Sequence, residues 1–326
     1  MKLKFLFFLI SSFFNFILID NNYSQEYRKT DSIVDNYPKN IIDANVLVGL
    51  VKKDFSNQNE KVRAIYRWVT TTIAYDVDLA KELDSKSLNA FSYTTDKEKE
   101  KKELLFKLEL VTKSLSSKKA VCHGYAALME ILCQKAGVET KTIFGNLKSD
   151  PSQIGLLPSE INHAWNVVKI DNNWKFIDAT LSAGFISNKT NLFKFYFNDS
   201  YFFMNSEDFF MNHFPSEEKW LFISKSKADY AKLPLFFGYY FQLKYHINKQ
   251  NSGIYSVKNS SKFMFNIEGL NESDYVQYSF NSDNKLHDFE QESTIKNYEV
   301  SVADKKNDIL AIFVNGKIIS MYKIIL

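Results

Sequence analysis

Residues 121–137 read VCHGYAALMEILCQKAG, and their pattern decides which fold the rest of the chain can build. Tyr125, Ala126, Ala127, Leu128, Met129, Ile131, Leu132 and Cys133 make the stretch apolar on most sides. His123, Glu130 and Gln134 are spaced 7 and 4 apart, which at about 100° per residue puts them on one narrow stripe. Gly137 supplies the left-handed residue that commonly follows a helix end. The stretch predicts a central helix over about 122–136, buried on most sides with one wet edge.

Downstream, ETKTIFG (139–145), HAWNVVKI (163–170) and NWKFIDAT (173–180) read as strands, with a polar loop over 147–161 between the first two. Asp171-Asn172 suits a two-residue hairpin turn. Such a turn pairs Ile170 with Asn173, sets His163 opposite Thr180, and sets Asp178 opposite Trp165. His163 and Asp178 then share one face as a diagonal pair, roughly 7–8 Å apart at the backbone. A register slip of one residue would send them to opposite faces.

Upstream, Val62, Ile65, Trp68, Val69 and Ile73 mark one buried helix face within a helical region over 25–84. Residues 95–119 begin as an alternating Glu/Lys run and continue through Leu104, Leu105, Leu108 and Leu110, which reads as a solvated helix and a loop. From 254 onward the pattern is all strand, with Asn315-Gly316 as a hairpin turn. The fold class expected is α+β. A central helix lies against an antiparallel sheet in a domain over 25–250, and a small sandwich-like β domain follows over 251–326.

Composition narrows the partners. Of 326 residues, 45% are hydrophobic and 24% charged, enough apolar mass for a packed core. The net charge is +3 and only three arginines occur, Arg28, Arg63 and Arg67, so nucleic acid is not an expected partner. Lys2 and Lys4 precede a mostly apolar run from Phe5 to Ile19, so residues 1–24 read as an export signal and the mature chain as periplasmic or secreted. No later segment reads as a membrane anchor. Cys122 and Cys133 are the two cysteines, and eleven helix positions hold their Cα atoms about 16 Å apart, beyond disulfide reach.

Chemistry is carried by Cys122 at a helix start, His163 at a strand start and Asp178 on the following strand. A thiol attacks only as thiolate, and a helix N-terminus favours that form and offers N–H groups to an oxyanion. Lys118 and Lys119 stand just before it and favour the thiolate too. A base oriented by a third group completes the requirement. The bland readings are a core thiol and two surface polar residues, and Cys133 reads as such a core thiol. His123 lies about 100° around the helix from Cys122 and is set aside as the base. His213, His246 and His287 show no partner pattern and read as structural. The cysteine spacing does not fit zinc, and no phosphate or dinucleotide motif occurs, so no metal or cofactor is expected.

The words VCHGYAALMEILCQKAG, HAWN and WKFIDAT resemble the transglutaminase-like superfamily of papain-type cysteine enzymes. RWVTTTIAYD (67–76) and YFFMNSEDFFMNHFPSEEKW (201–220) resemble blocks of its kyphoscoliosis-peptidase and cytokinesis-protein branch. The resemblance implies Cys122 as nucleophile, His163 as base and then acid, Asp178 as orienter, and the Cys122 N–H as an oxyanion donor. Leu181 stands where many relatives carry an aromatic residue. The resemblance further implies a protein or peptide substrate, of the cell envelope in an exported chain; hydrolysis is favoured over amine transfer because water is always at hand and no amine-holding site is evident. The other class of reading is a non-catalytic binding module built on the same fold.

Overall fold

The structure, a computed structural model, describes residues 27–84, 94–187, 189–248, 252–283, 285–289 and 297–326, and the expected export signal lies outside them. No helix among the described residues is long and apolar enough to cross a membrane. The chain packs as two units. The first comprises the chain up to Thr140 with Val168–Asn173 and Phe185–Phe195; the second comprises Lys141–Val167, Trp174–Gly184 and Tyr196–Leu326.

The first unit is helical: α1 (27–35), α2 (Ala44–Asp54), α3 (Gln58–Thr72), α4 (Val77–Asp84), α5 (Asp96–Ser117) and α6 (Cys122–Lys135). The apolar run at 122–133 forms α6, around which α2, α3 and α5 pack. Val62, Ile65, Trp68, Val69 and Ile73 are all fully buried, as their spacing requires. Two arginine forks lock α1 onto α3. Arg63, itself buried, grips Asp31 with both bonds at 2.7 Å, and Arg67 grips Asp35 with both at 2.9 Å. Two of the three arginines thus serve the fold.

Residues 95–119 depart from expectation. α5 is helical through to Ser117 and contains no loop, and it starts on Thr95, whose hydroxyl accepts the Glu98 N–H. Its buried face is Val111, Ser114 and Leu115, while Leu104, Leu105 and Leu108 are exposed. The wet edge expected on α6 is also covered at Glu130. That carboxylate is buried and takes a two-point ion pair from Lys107 of α5, at 2.7 and 2.8 Å. Charge on the α5 run here closes an interface.

The second unit carries a five-stranded sheet in the order β8-β5-β4-β3-β9. Its strands are β3 (Thr140–Leu147), β4 (His163–Ile170), β5 (Asn173–Ile177), β8 (Phe202–Met204) and β9 (His213–Pro215). Asp171 and Asn172 both have positive φ, 48° and 62°, the left-handed pair a tight hairpin needs between β4 and β5. β6 (Gly184–Ile186) and β7 (Phe193–Phe195) form a separate two-stranded pair.

The C-terminal strands form two further sheets. One has the order β10-β18-β17-β14-β15, from β10 (Leu235–Phe236), β14 (Val276–Phe280), β15 (His287–Asp288), β17 (Asp308–Val314) and β18 (Lys317–Ile325), with β12 (Ile254–Ser256) added parallel to β18. The other is β11 (His246–Asn248), β13 (Lys262–Glu268) and β16 (Asn297–Ser301). Phe263, Phe265 and Ile267 of β13 join Leu310, Ile312, Tyr322 and Ile324 of the first sheet in one buried cluster. The alternation expected from the sequence therefore closes as a sandwich-like, all-β region. Asn315 and Gly316 have φ of 53° and 71°, a second left-handed turn pair.

Gly145 of β3 sets how closely β9 can approach. A Cβ there would stand 2.3 Å from the Phe214 carbonyl oxygen and 2.5 Å from the Trp165 ring. Gly145→Ala should cost about 1–3 kcal/mol by overpacking and lower the thermal midpoint by several degrees. Gly49→Ala in α2, where nothing lies within 4 Å of the added carbon, should raise it slightly in the same calorimetric comparison.

Candidate active site

β4 is buried along nearly its whole length, and it begins with His163. β5 ends at Ile177, one residue before Asp178. The sequence places Asp178 and Thr180 within a strand, but the chain turns there into a short helix, α7 (Ala179–Ala183), of which Asp178 is the N-cap. Its Oδ1 accepts the Leu181 N–H at 2.9 Å, the local bond that a carboxylate at this position makes with a starting helix. The pairing of β5 with β8 is irregular between Phe176 and Ile177, where the strand gives way.

The other carboxylate oxygen, Oδ2, accepts Nε2–H of His163 at 2.6 Å. Asp178 is wholly buried and His163 nearly so. The expected meeting of His163 and Asp178 is therefore present. With Nε2–H given to the carboxylate, Nδ1 of His163 carries the lone pair.

A third residue joins them that local spacing does not reveal. Nε2 of His213, at the start of β9, lies 3.0 Å from the same Oδ2. The ring is buried, stacked on Phe209 at 3.9 Å between centroids and edge-on to Trp165 at 5.1 Å. From sequence alone His213 reads as a structural histidine in an aromatic stretch. The one sequence signal pointing to it is its place within the block at 201–220.

The electrostatics follow from burial. Burial alone would push the Asp178 carboxyl up, but the charge and hydrogen bond of His163, with the hydrogen bond of His213, hold it well below the usual carboxylate range. Burial pushes His213 the other way from its ordinary value, down toward the neutral ring, against the pull of Asp178. The donor atoms of His163, Asp178 and His213 all lie within 4.8 Å of one another, so a bound metal has to be considered. Ligands about 2.0–2.1 Å from a tetrahedral zinc would stand roughly 3.3 Å apart. Separations of 2.6 and 3.0 Å onto one oxygen are N–H···O bonds instead.

In the first unit, Cys122 is the first residue of α6, half-buried, following an N-cap, Val121, that offers no capping side chain. Its position is set by the parallel pair β1 (Ala74–Tyr75) and β2 (Lys119–Ala120) and by the Tyr125 hydroxyl, which donates to the Ile73 carbonyl. Gly124 is required there: a Cβ would stand 2.8 Å from that of Ala120 and 2.9 Å from the Ser114 hydroxyl. Lys118 does not serve the thiol as expected. Its Nζ donates to the carbonyls of Ile41 and Leu115 and lies over the Trp68 ring. Nδ1 of His123 lies 3.9 Å from the Cys122 sulfur, a long sulfur hydrogen bond. Cys133 is the core thiol expected, fully buried, with its proton held until about pH 12 by desolvation.

Residues 47–179 match the transglutaminase-like superfamily, so this part of the chain carries a domain of that kind. It is similar to kyphoscoliosis peptidase of Mus musculus, at 31% identity over 177 residues, 54% of this chain and 24% of that protein. The Homo sapiens kyphoscoliosis peptidase is 32% identical over 162 residues, 49% and 21% of the two chains. Lim and transglutaminase domain protein ltd-1 of Caenorhabditis elegans is 26% identical over 221 residues, 61% and 26%. The chain thus spans about a quarter of the length of these relatives.

The titration shifts predict acid sensitivity. His213 is less basic folded than unfolded, so the unfolded chain binds its proton first as pH falls below about 6.5. Asp178 is more acidic folded than unfolded; its stabilisation is complete above about pH 4 and drains away below that. The urea midpoint should therefore fall between pH 7 and pH 5. His213→Gln should flatten that part of the curve and leave the steeper loss below pH 4 in place.

Proposed function

We propose that this chain is a thiol enzyme acting on amide bonds of proteins or peptides, with Cys122, His163 and Asp178 working as one unit. The observation that carries the reading is the buried 2.6 Å bond between His163 and Asp178. It fixes the tautomer a base needs and stabilises the imidazolium formed when the thiol gives up its proton.

In the first half-reaction Nδ1 of His163 takes the Cys122 proton and the thiolate adds to the amide carbon. The C–S bond forms, the C–N bond breaks, and His163 returns its proton to the departing amine. Water, deprotonated by the same nitrogen, then cleaves the thioester and restores the thiol. Hydrolysis is favoured over amine transfer because water is always at hand, whereas transfer needs a site that holds an amine. The peptidase name of the mammalian relatives supports the same class of substrate. The basic and apolar segment over 1–24 supports export, to the periplasm or beyond the cell.

Iodoacetamide should label Cys122 well below pH 8.5 and leave Cys133 untouched, read by peptide mass. Equal sluggishness of the two thiols would favour a binding module. A peptide library offered with and without a labelled primary amine should show cleavage or deamidation by mass. Cys122→Ala should abolish that turnover with the thermal midpoint retained, and Asp178→Asn should lower it on the order of a thousandfold.

A further inference from the structure

We infer that His213 is a positioning residue for the same chemistry, a second imidazole that holds the Asp178 carboxylate on His163. The inference rests on the reading of His163 and Asp178 given above. A buried histidine with a structural role needs only some acceptor for its N–H. His213 instead uses the one oxygen, Oδ2, that His163 also uses, while Oδ1 is taken by the Leu181 N–H.

Three donors from three segments therefore converge on one carboxylate. β4 supplies His163, the first turn of α7 supplies Leu181, and β9 supplies His213. A carboxylate held only by Leu181 and His163 could still rock about its Cβ–Cγ bond. The third bond restrains that rocking. The 2.6 Å bond to His163 is then made by a group that cannot follow any other donor.

Burial of His213 favours the neutral ring, against the pull of Asp178 and of the Phe209 backbone. Its ring packs against Phe209, Trp165 and Tyr201, and the titratable groups facing it are Asp178, His163 and Tyr201. Lys148, the residue that follows β3, sends its ammonium to the carbonyls of Tyr230 and Leu233. A second imidazolium here would compete for the carboxylate's charge. A neutral ring orients that charge and leaves it to His163.

Two substitutions test this. His213→Gln keeps an N–H near the position of Nε2; His213→Phe keeps the ring volume and removes the donor. In histidine-labelled NMR the wild type should show two slowly exchanging low-field N–H protons, one from each ring on Oδ2. His213→Gln should remove one and leave the His163 signal nearly in place, and His213→Phe should shift or broaden it. In the pH profile of Cys122 alkylation by iodoacetamide, His213→Phe should move the midpoint up by about one unit, roughly a tenfold loss of rate at pH 6. His213→Gln should stay within about threefold of wild type.

A His213→Phe protein with wild-type profile and an unmoved His163 signal would overturn the inference, as would a wild type with a single low-field proton. Should His213→Phe fail to fold, a His213→Gln protein that loses the His163 signal counts against it too. A wild type with both low-field protons but no labelling of Cys122 below pH 8.5 supports the clamp and sinks the nucleophile, so the two readings fail separately.

Discussion

A carboxylate with no exposed surface dictates how this site is built. Asp178 must be given hydrogen bonds or be protonated, because an ionised carboxyl without partners in a protein interior is prohibitively costly. Its partners come from positions 163, 181 and 213, so the order β5-β4-β3-β9 is a condition of its charge as much as a packing solution. Gly145, by letting β9 lie against β3, is part of the same condition.

The cysteine is placed by a different economy. Short parallel pairing of residues 74–75 with 119–120 delivers the chain to the first residue of α6, and Gly124 lets that first turn sit against Ala120 and Ser114. The apolar bulk of α6 then does the anchoring, with Lys107 and Glu130 closing its polar side. Placement of the thiol depends on many weak contacts, and placement of the carboxylate on three strong ones.

What could be read from sequence was whatever a local period encodes. The run 122–135, the buried face of α3, and the turns at Asp171-Asn172 and Asn315-Gly316 all follow from spacing over a few residues, and each is present. His163 and Asp178 could be brought together on paper because one hairpin joins them. His213 could not, since it lies 35 residues beyond Asp178 and reaches it through the pairing of β9 with β3. Glu130 looked solvated because its partner sits on another helix, 23 residues earlier. The end of β5 at Ile177 was misplaced because Asp178 serves as a helix cap and a site residue at once, and strand alternation conceals the first role.

The reach of His213 bears on where this protein can be cut. The superfamily match ends at residue 179, within α7 and short of β8 and β9. A fragment trimmed to that match would retain Cys122, His163 and Asp178 yet strand the aspartate in a half-built sheet. Any excised version that is to keep the third hydrogen bond on Asp178 has to run past Pro215, so recombinant boundaries drawn from homology alone would discard a partner of the buried carboxylate.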